Sequence, residues 1–387
     1  MSKQETNTTS QDVYRELQEH IDTFPVGFPS TESGVEISLL KQLFTPEEAQ
    51  IASKLRFYPS FGDGESLDSI FDRIKTLGLK YTKEELENHL VNMAEKGAIK
   101  LSKIGNQKAY SGAILIIGMF EFQVNKLTKE FAKDMKQYMQ EYIILEMAKT
   151  LPLQIRTIPI GVTIDHNTDA ANFDDVKNLV ENVEGPFSLT NCVCRQSKNT
   201  LGKTCKATSR LEVCIGFGDL AQIYIDMGWA REISKEEVIE TLKKNEEEGL
   251  VFQLGNSQKT DFICSCCGCC CEVILNIKTF PNPGDIITTN NYAKIESDLC
   301  TGCGTCIERC QMEAITLGDD ISSVNRLRCI GCGNCISVCP SEAIKLLKKE
   351  QQFTPPKTLK EYYEDNLAMR TKRKERELRK KARFGKS

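Results

Sequence analysis

The chain is 387 residues long, enough for two or three domains with cores of their own. Its formal net charge of -4 argues against both a global electrostatic footprint for nucleic acid and strong self-repulsion. Eighteen cysteines could form disulfides in a small secreted protein, but the polar start Met1–Ser10 has no apolar signal-peptide core, so a reduced cytoplasmic protein with metal-holding thiols is expected.

In chain order, residues 1 to about 12 read as disordered. Thr45-Pro46-Glu47-Glu48 is a capping box with proline at the first helical position. Ser66 opens a second helix carrying Ile70, Ile74 and Leu77, which stops at Gly78. Thr82-x-x-Glu85 caps a third, with Leu86, Leu90 and Met93 on one face and a stop at Gly97. Ile99–Leu101 and Ala109–Tyr110 flank a Gly105-Asn106 turn, a hairpin signal. This order resembles a winged helix-turn-helix. The outward side of its reading helix holds Lys83, Glu84, Glu87, Asn88, Asn92, Glu95 and Lys96, and the acids are unfavourable beside phosphates. A docking or packing role is therefore expected over sequence-specific DNA binding.

Residues 114 to 150 read as one or two helices with a Met, Phe, Tyr and Leu stripe for a core or a subunit contact. The apolar run Ala113–Phe122 is roughly half the length of a membrane span. From Leu153 the pattern alternates as strands do, with Ile155, Ile158, Ile160, Val162 and Ile164. Phe173–Glu184 is predicted helical and Phe187–Cys194 a strand, a βαβ-like texture continuing to about Lys278. Ser234-x-x-Glu237 caps a helix ending near Gly249, before a strand over Leu250–Leu254. Pro281-Asn282-Pro283-Gly284 breaks this part from the next. The end of the chain reads as a long polar helix dense in Arg and Lys after Met369. It could contact RNA, anionic partners or a larger assembly, or be a solvated tail.

Two runs near the C-terminus carry the most specific signal: Cys300-x-x-Cys303-x-x-Cys306-x-x-x-Cys310 and Cys329-x-x-Cys332-x-x-Cys335-x-x-x-Cys339-Pro340. Such spacing presents thiolates to [4Fe–4S] clusters. The runs form a repeat, since Glu313-Ala314-Ile315 follows the first as Glu342-Ala343-Ile344 follows the second. Residues 294 to 347 resemble the bacterial two-cluster ferredoxins. The resemblance implies crossed ligation, in which the fourth cysteine of each run serves the other cluster. Cys300, Cys303, Cys306 and Cys339 would hold one cluster; Cys329, Cys332, Cys335 and Cys310 the other. Gln311 departs from the repeat, standing where Pro340 stands in the second run.

The other ten cysteines are Cys192, Cys194, Cys205, Cys214, Cys264, Cys266, Cys267, Cys269, Cys270 and Cys271. On a strand, Cys192 and Cys194 would share a face, as would Cys264 and Cys266. Gly268 would break the strand and open a helix, whose N-terminus would join Arg195 in favouring thiolates. One or two further iron–sulfur clusters are expected, with zinc as the alternative. One division gives Cys192, Cys194, Cys205 and Cys214 to one centre and four of the later group to another; in a second, both segments share one centre. His20 and His89 look incidental, and His166 lies in a polar loop. No P-loop, flavin motif or dinucleotide fingerprint is visible.

The fold class expected is α+β multidomain. Residues 1–40 form a partly disordered segment, 41–150 a winged-helix-like and helical domain, and 151–285 a cysteine-rich α/β domain, with α+β as the other form open for it. Residues 286–350 form the two-cluster ferredoxin domain, and 351–387 a basic helical tail. As a whole the layout resembles multidomain iron–sulfur proteins of anaerobes, a resemblance that gives no reaction; a pair of clusters is suited to electron transfer, expected here with redox partner proteins within a larger anaerobic redox complex. A reductase acting at the middle cysteines and a redox-sensing winged-helix regulator are the alternatives.

Overall fold

Capping chemistry sets the start of several helices. In the computed structural model, which describes residues 10–147, 152–160 and 174–384, Thr45 and Thr82 each close a reciprocal capping box with the glutamate three residues on. Ser66 and Ser234 cap through their hydroxyls. The chain folds as two compact units, Met1–Tyr142 with Tyr363–Ser387, and Ile143–Tyr362.

In the first unit, helices Pro46–Ala52, Leu67–Thr76 and Lys83–Glu95 precede a hairpin of Ile99–Ile104 and Gln107–Gly112. Ile104 pairs with Gln107, so the turn is the two residues Gly105 and Asn106. Gly105 takes φ 61°, as such a turn requires at its first position. The short strand Glu65–Ser66 pairs with Gln107–Gly112 as a third strand. Ile70, Ile74, Leu86, Leu90 and Met93 are buried, whereas Leu77, beyond the end of its helix, is 55% exposed.

The disorder expected over residues 1 to about 12 falls mostly outside the described residues; from Ser10 to Ile21 the chain is helical. Where one or two helices are expected over 114–150, regular α-helix does not cover 114–128. Leu115–Met119 is an irregular turn in which Ile117 takes φ 59°, and Glu121 accepts the Gly118 amide at 3.0 Å. Regular helix begins at Lys129, and Met135, Tyr138 and Met139 of that helix are fully buried. The helix Leu359–Phe384 is not simply a solvated tail. Arg370 is 3% exposed, donates to the Val26 carbonyl at 3.0 Å and pairs with Asp22 at 3.1 Å. Lys372, Arg376, Arg379 and Lys380 remain exposed.

The second unit is built on a six-stranded sheet in the order Ile155–Ile158, Val251–Gly255, Phe262–Cys266, Glu212–Phe217, Phe187–Asn191, Arg231–Ile233. Every neighbouring pair is antiparallel, so the βαβ texture is corrected to an α+β arrangement. One side of the core is aliphatic and aromatic, with Leu189, Ile215, Phe217, Val238, Phe252 and Ile263. The other end packs Val213 and Leu250 against cysteines.

The two cysteine runs carry a pair of two-stranded sheets, Asn291–Ile295 with Ile344–Lys348 and Ile315–Leu317 with Ser322–Val324. This part is fastened to the six-stranded sheet. The Thr157 amide donates to Thr288 O at 3.0 Å and the Ile160 amide to Cys332 O at 3.1 Å. Asn334 donates to Gly249 O at 3.0 Å, and Arg309 to Glu246 O and Glu247 O, each at 2.7 Å. The stretch Pro281–Gly284 is no open linker, because the Gly284 amide donates to Leu327 O at 2.7 Å. Among the described residues, no helix is long and apolar enough to cross a membrane.

Candidate metal centres

The repeat seen in sequence is also a repeat of backbone conformation. Gly302 and Gly304 take φ 67° and 76°; Gly331 and Gly333 take 63° and 80°. Glu313 and Glu342, one in each half, both take φ 53°. A Cβ on Gly302 would lie 2.4 Å from Asp320 O, and one on Gly331 2.3 Å from Asn291 O, so these loops turn where a side chain cannot fit. Main-chain amides aim at sulfur in both halves: Ser322 N to Cys300 Sγ at 3.5 Å, Ala314 N to Cys310 Sγ and Ala293 N to Cys329 Sγ, both at 3.3 Å.

Cys310 shares one apolar cavity with Cys329, Cys332 and Cys335, walled by Ala293, Ile315, Val324 and Ile330. Cys306 lies within electrostatic reach of Cys303 and Cys339. Burial pushes the Cys332 thiol up to about 12 and raises Cys335 and Cys310. A cationic centre would remove that penalty, because it binds thiolates directly. Soft thiolates around an apolar space, with amide donors directed at sulfur, fit iron–sulfur clusters. Cys303 is exposed, so the first set opens toward solvent.

The ten middle cysteines come from two chain segments. Phe187–Asn191 ends before Cys192, which is the N-cap of the helix Val193–Thr200; Cys194 lies in that helix, not on the strand expected. Phe262–Cys266 is a strand, Gly268 lies in a turn, and Cys271 caps the helix Glu272–Ile277.

Six of these thiols form a closed ring of side-chain contacts. Cys192 meets Cys194 and Cys214, Cys264 meets Cys214 and Cys266, and Cys271 meets Cys194 and Cys266. Hydrogen bonds from these neighbours hold Cys192, Cys264 and Cys271 below the ordinary thiol value, Cys264 at about 6. The same contacts raise Cys194, Cys214 and Cys266.

The remaining four, Cys205, Cys267, Cys269 and Cys270, have all their sulfurs within 4.8 Å of one another. Of the two divisions open from sequence, neither has this partition: Cys205 sits with the later segment, and Cys264, Cys266 and Cys271 sit with the earlier one.

Buried donors without oxygen partners face these thiols. Arg195 is 1% exposed and directs Nη2 to Ser265 O at 3.0 Å. Its Nε and Nη1 have no hydrogen-bond partner. Burial works against its charge, but Cys192, Cys267 and Cys214 hold its pKa above the usual value. Gln253 is fully buried, accepts weakly from Cys271 Sγ at 3.9 Å, and leaves Nε2 unpartnered. Orphaned donors of this kind match the sulfur acceptors of a metal–thiolate centre.

Gln311 has a role that its departure from the repeat signalled without revealing. Its Oε1 accepts the Gly268 amide at 2.8 Å and its Nε2 donates to Gly249 O at 3.2 Å. It thereby joins Cys310 to the turn that holds Cys267 and Cys269. A groove of about 840 Å³ opens there, lined by Cys269, Cys310 and Gln311, by Lys198, Lys203, Lys206, Lys278 and Arg309, and by Glu248, Glu308 and Glu313.

The two described histidines have local partners in the first unit. His20 bonds the Leu55 carbonyl at 2.6 Å, and His89 packs edge-on against Tyr81. His166 lies outside the described residues.

Comparison with known proteins agrees with the C-terminal geometry. Residues 287–346 match the family of 4Fe-4S dicluster domains. A protein from Methanosarcina thermophila described as "Probable ferredoxin" is 57% identical over 28 residues, which is 7% of this chain and 48% of that protein. The chain thus spans about half the length of that relative. No solved structure matches the chain significantly. Residues 287–346 are therefore an iron–sulfur, ferredoxin-like dicluster domain.

Proposed function

We propose that this protein transfers electrons through two [4Fe–4S] clusters in residues 287–346 and a further iron–sulfur cluster within the six-thiol ring. The observation that carries this reading is the doubled ligand loop, with equal glycine and glutamate conformations in both halves and a dicluster family match. When bound, such clusters take up and release single electrons with little rearrangement. The proposed ligands are Cys300, Cys303, Cys306 and Cys339 for the outer cluster. Those for the inner one are Cys329, Cys332, Cys335 and Cys310.

Exposure of Cys303 supports entry of electrons from a redox partner on that side. Gln311 supports onward passage, since it bridges Cys310 to the cysteine turn through one short hydrogen bond. The ring is supported as a cluster site by the number of its thiols, six where a cubane takes four. Among the described residues, no three of its sulfurs lie mutually within 4.8 Å, which is equally true of the ferredoxin cysteines.

A reductase reading is favoured by the groove beside Cys269, whose four lysines and one arginine outnumber its three glutamates and suit an anionic substrate or an acidic partner surface. The test of the main reading is iron and acid-labile sulfide analysis, with EPR, on protein purified without oxygen. About twelve irons with matching sulfide are expected for three cubanes, and reduction should give several interacting cluster signals. Protein that holds no sulfide and shows no visible absorption to bleach with dithionite would falsify it.

A further inference from the structure

We infer that Cys205, Cys267, Cys269 and Cys270 bind one tetrahedral metal ion, zinc or a single iron, and not an iron–sulfur cluster. The spacing of the sulfurs carries this. Cys205 lies 3.6 Å from Cys267 and 3.7 Å from Cys269; Cys269 lies 3.6 Å from Cys267 and 3.7 Å from Cys270. A metal–sulfur bond of about 2.3 Å in tetrahedral geometry places its four sulfurs roughly 3.8 Å apart. A cubane needs more room, because each thiolate stands outward from an iron corner, and its sulfurs are separated by roughly 6 Å. Among the described residues this set alone has four ligand atoms mutually within 4.8 Å, and no three of the ferredoxin sulfurs approach one another so closely.

The surroundings suit a closed ion site. Cys267 and Cys270 are each 1% exposed, and the Lys206 amide donates to Cys269 Sγ at 3.3 Å. Four thiolates on a divalent ion leave two negative charges, and the buried Arg195 lies beside them.

Chain order indicates what the ion does. Cys205 lies in the irregular stretch between Cys194 and Cys214, both in the six-thiol ring. Cys267, Cys269 and Cys270 lie between Cys266 and Cys271, also both in the ring. One ion would therefore clamp two loops at their middles and fix the ring cysteines at all four loop ends. This role is independent of whether the chain carries electrons.

The test is metal and sulfide analysis of the full chain purified anaerobically, beside the Cys205→Ser/Cys269→Ser double variant. The parent should hold about one zinc per chain, or about one iron in excess of sulfide. For zinc, X-ray absorption at the zinc edge should show four sulfurs. For excess iron, a rubredoxin-type ferric EPR signal should appear on oxidation. The variant should lose that one ion. Parent protein with iron equal to sulfide and no other metal would overturn the inference. So would a zinc content that the double variant leaves unchanged. If the variant does not fold, the stoichiometry and spectra of the parent still decide. Protein with one ion and no sulfide would refute electron transfer through iron–sulfur clusters and leave the ion site standing; the reverse result would do the opposite.

Discussion

Among single residues, Gln311 and Asp261 make separable predictions. Gln311→Pro would copy the second run, yet it strips the acceptor from the Gly268 amide and one of two donors from Gly249 O, which keeps Asn334. An unpaired buried amide costs about 1–3 kcal/mol, so the variant should lose that much unfolding free energy and unfold at a lower denaturant concentration. Electron delivery to the middle centre, followed by stopped-flow reduction, should also slow, while the two ferredoxin signals persist. Asp261 is raised to about 6 by burial, with Lys259 opposing. Its folded pKa exceeds its unfolded one, so the folded state binds the extra proton between those values. This contribution to stability is therefore greatest at low pH and is lost as pH rises through about 6. Asp261→Asn should be more stable than the parent at about pH 7, and the gap should close as pH falls below about 6. Denaturation of both proteins from about pH 4 to about pH 8 measures this, and the common loss of metal at low pH cancels in the difference.

Among elements, the glycines distinguish backbone strain from collision. Gly34 takes φ 70° with open space around its missing Cβ, whereas Gly331 takes φ 63° with Asn291 O in the way. Gly34→Ala should cost only the left-handed penalty of about 1–2 kcal/mol. Gly331→Ala should cost more and disturb the loop before Cys332, lowering bound iron by up to about four per chain. Iron analysis of the two variants is the check, and equal iron in both would contradict a close-packed ligand loop. The capped helices and the 99–112 hairpin are legible in sequence because caps and tight turns are local chemistry. The stretch 114–128 has the composition of a helix without being one. Its apolar density is real but serves an irregular turn, pinned by Glu121 and buried around Met119 and Phe122.

Across the whole molecule, ligands from distant positions should act together. Cys339→Ser should alter the same EPR signal as Cys303→Ser, and Cys310→Ser the same signal as Cys332→Ser. Signals that followed each run separately would overturn the crossed assignment. The basic C-terminal helix shows the same interplay of distant parts inside the first unit. Gly27 takes φ 80°, and a Cβ there would lie 2.3 Å from the Arg370 guanidinium, so this arginine belongs to a packed contact. The basic character that suggests a nucleic-acid arm is thereby partly engaged by Asp22, leaving the outer lysines and arginines to meet solvent or partners.

Residue order alone establishes the dicluster motif, because each cluster loop takes three of its ligands from about seven consecutive residues and turns on its own glycines. It also establishes the capped helices, whose signals lie within a single turn. The division of the ten middle cysteines into a ring of six and a group of four emerges only in the folded chain, since it pairs segments far apart in sequence across one sheet. Neither segment's spacing encodes which thiols meet. The antiparallel order of strands Glu212–Phe217 and Phe262–Cys266 brings them together.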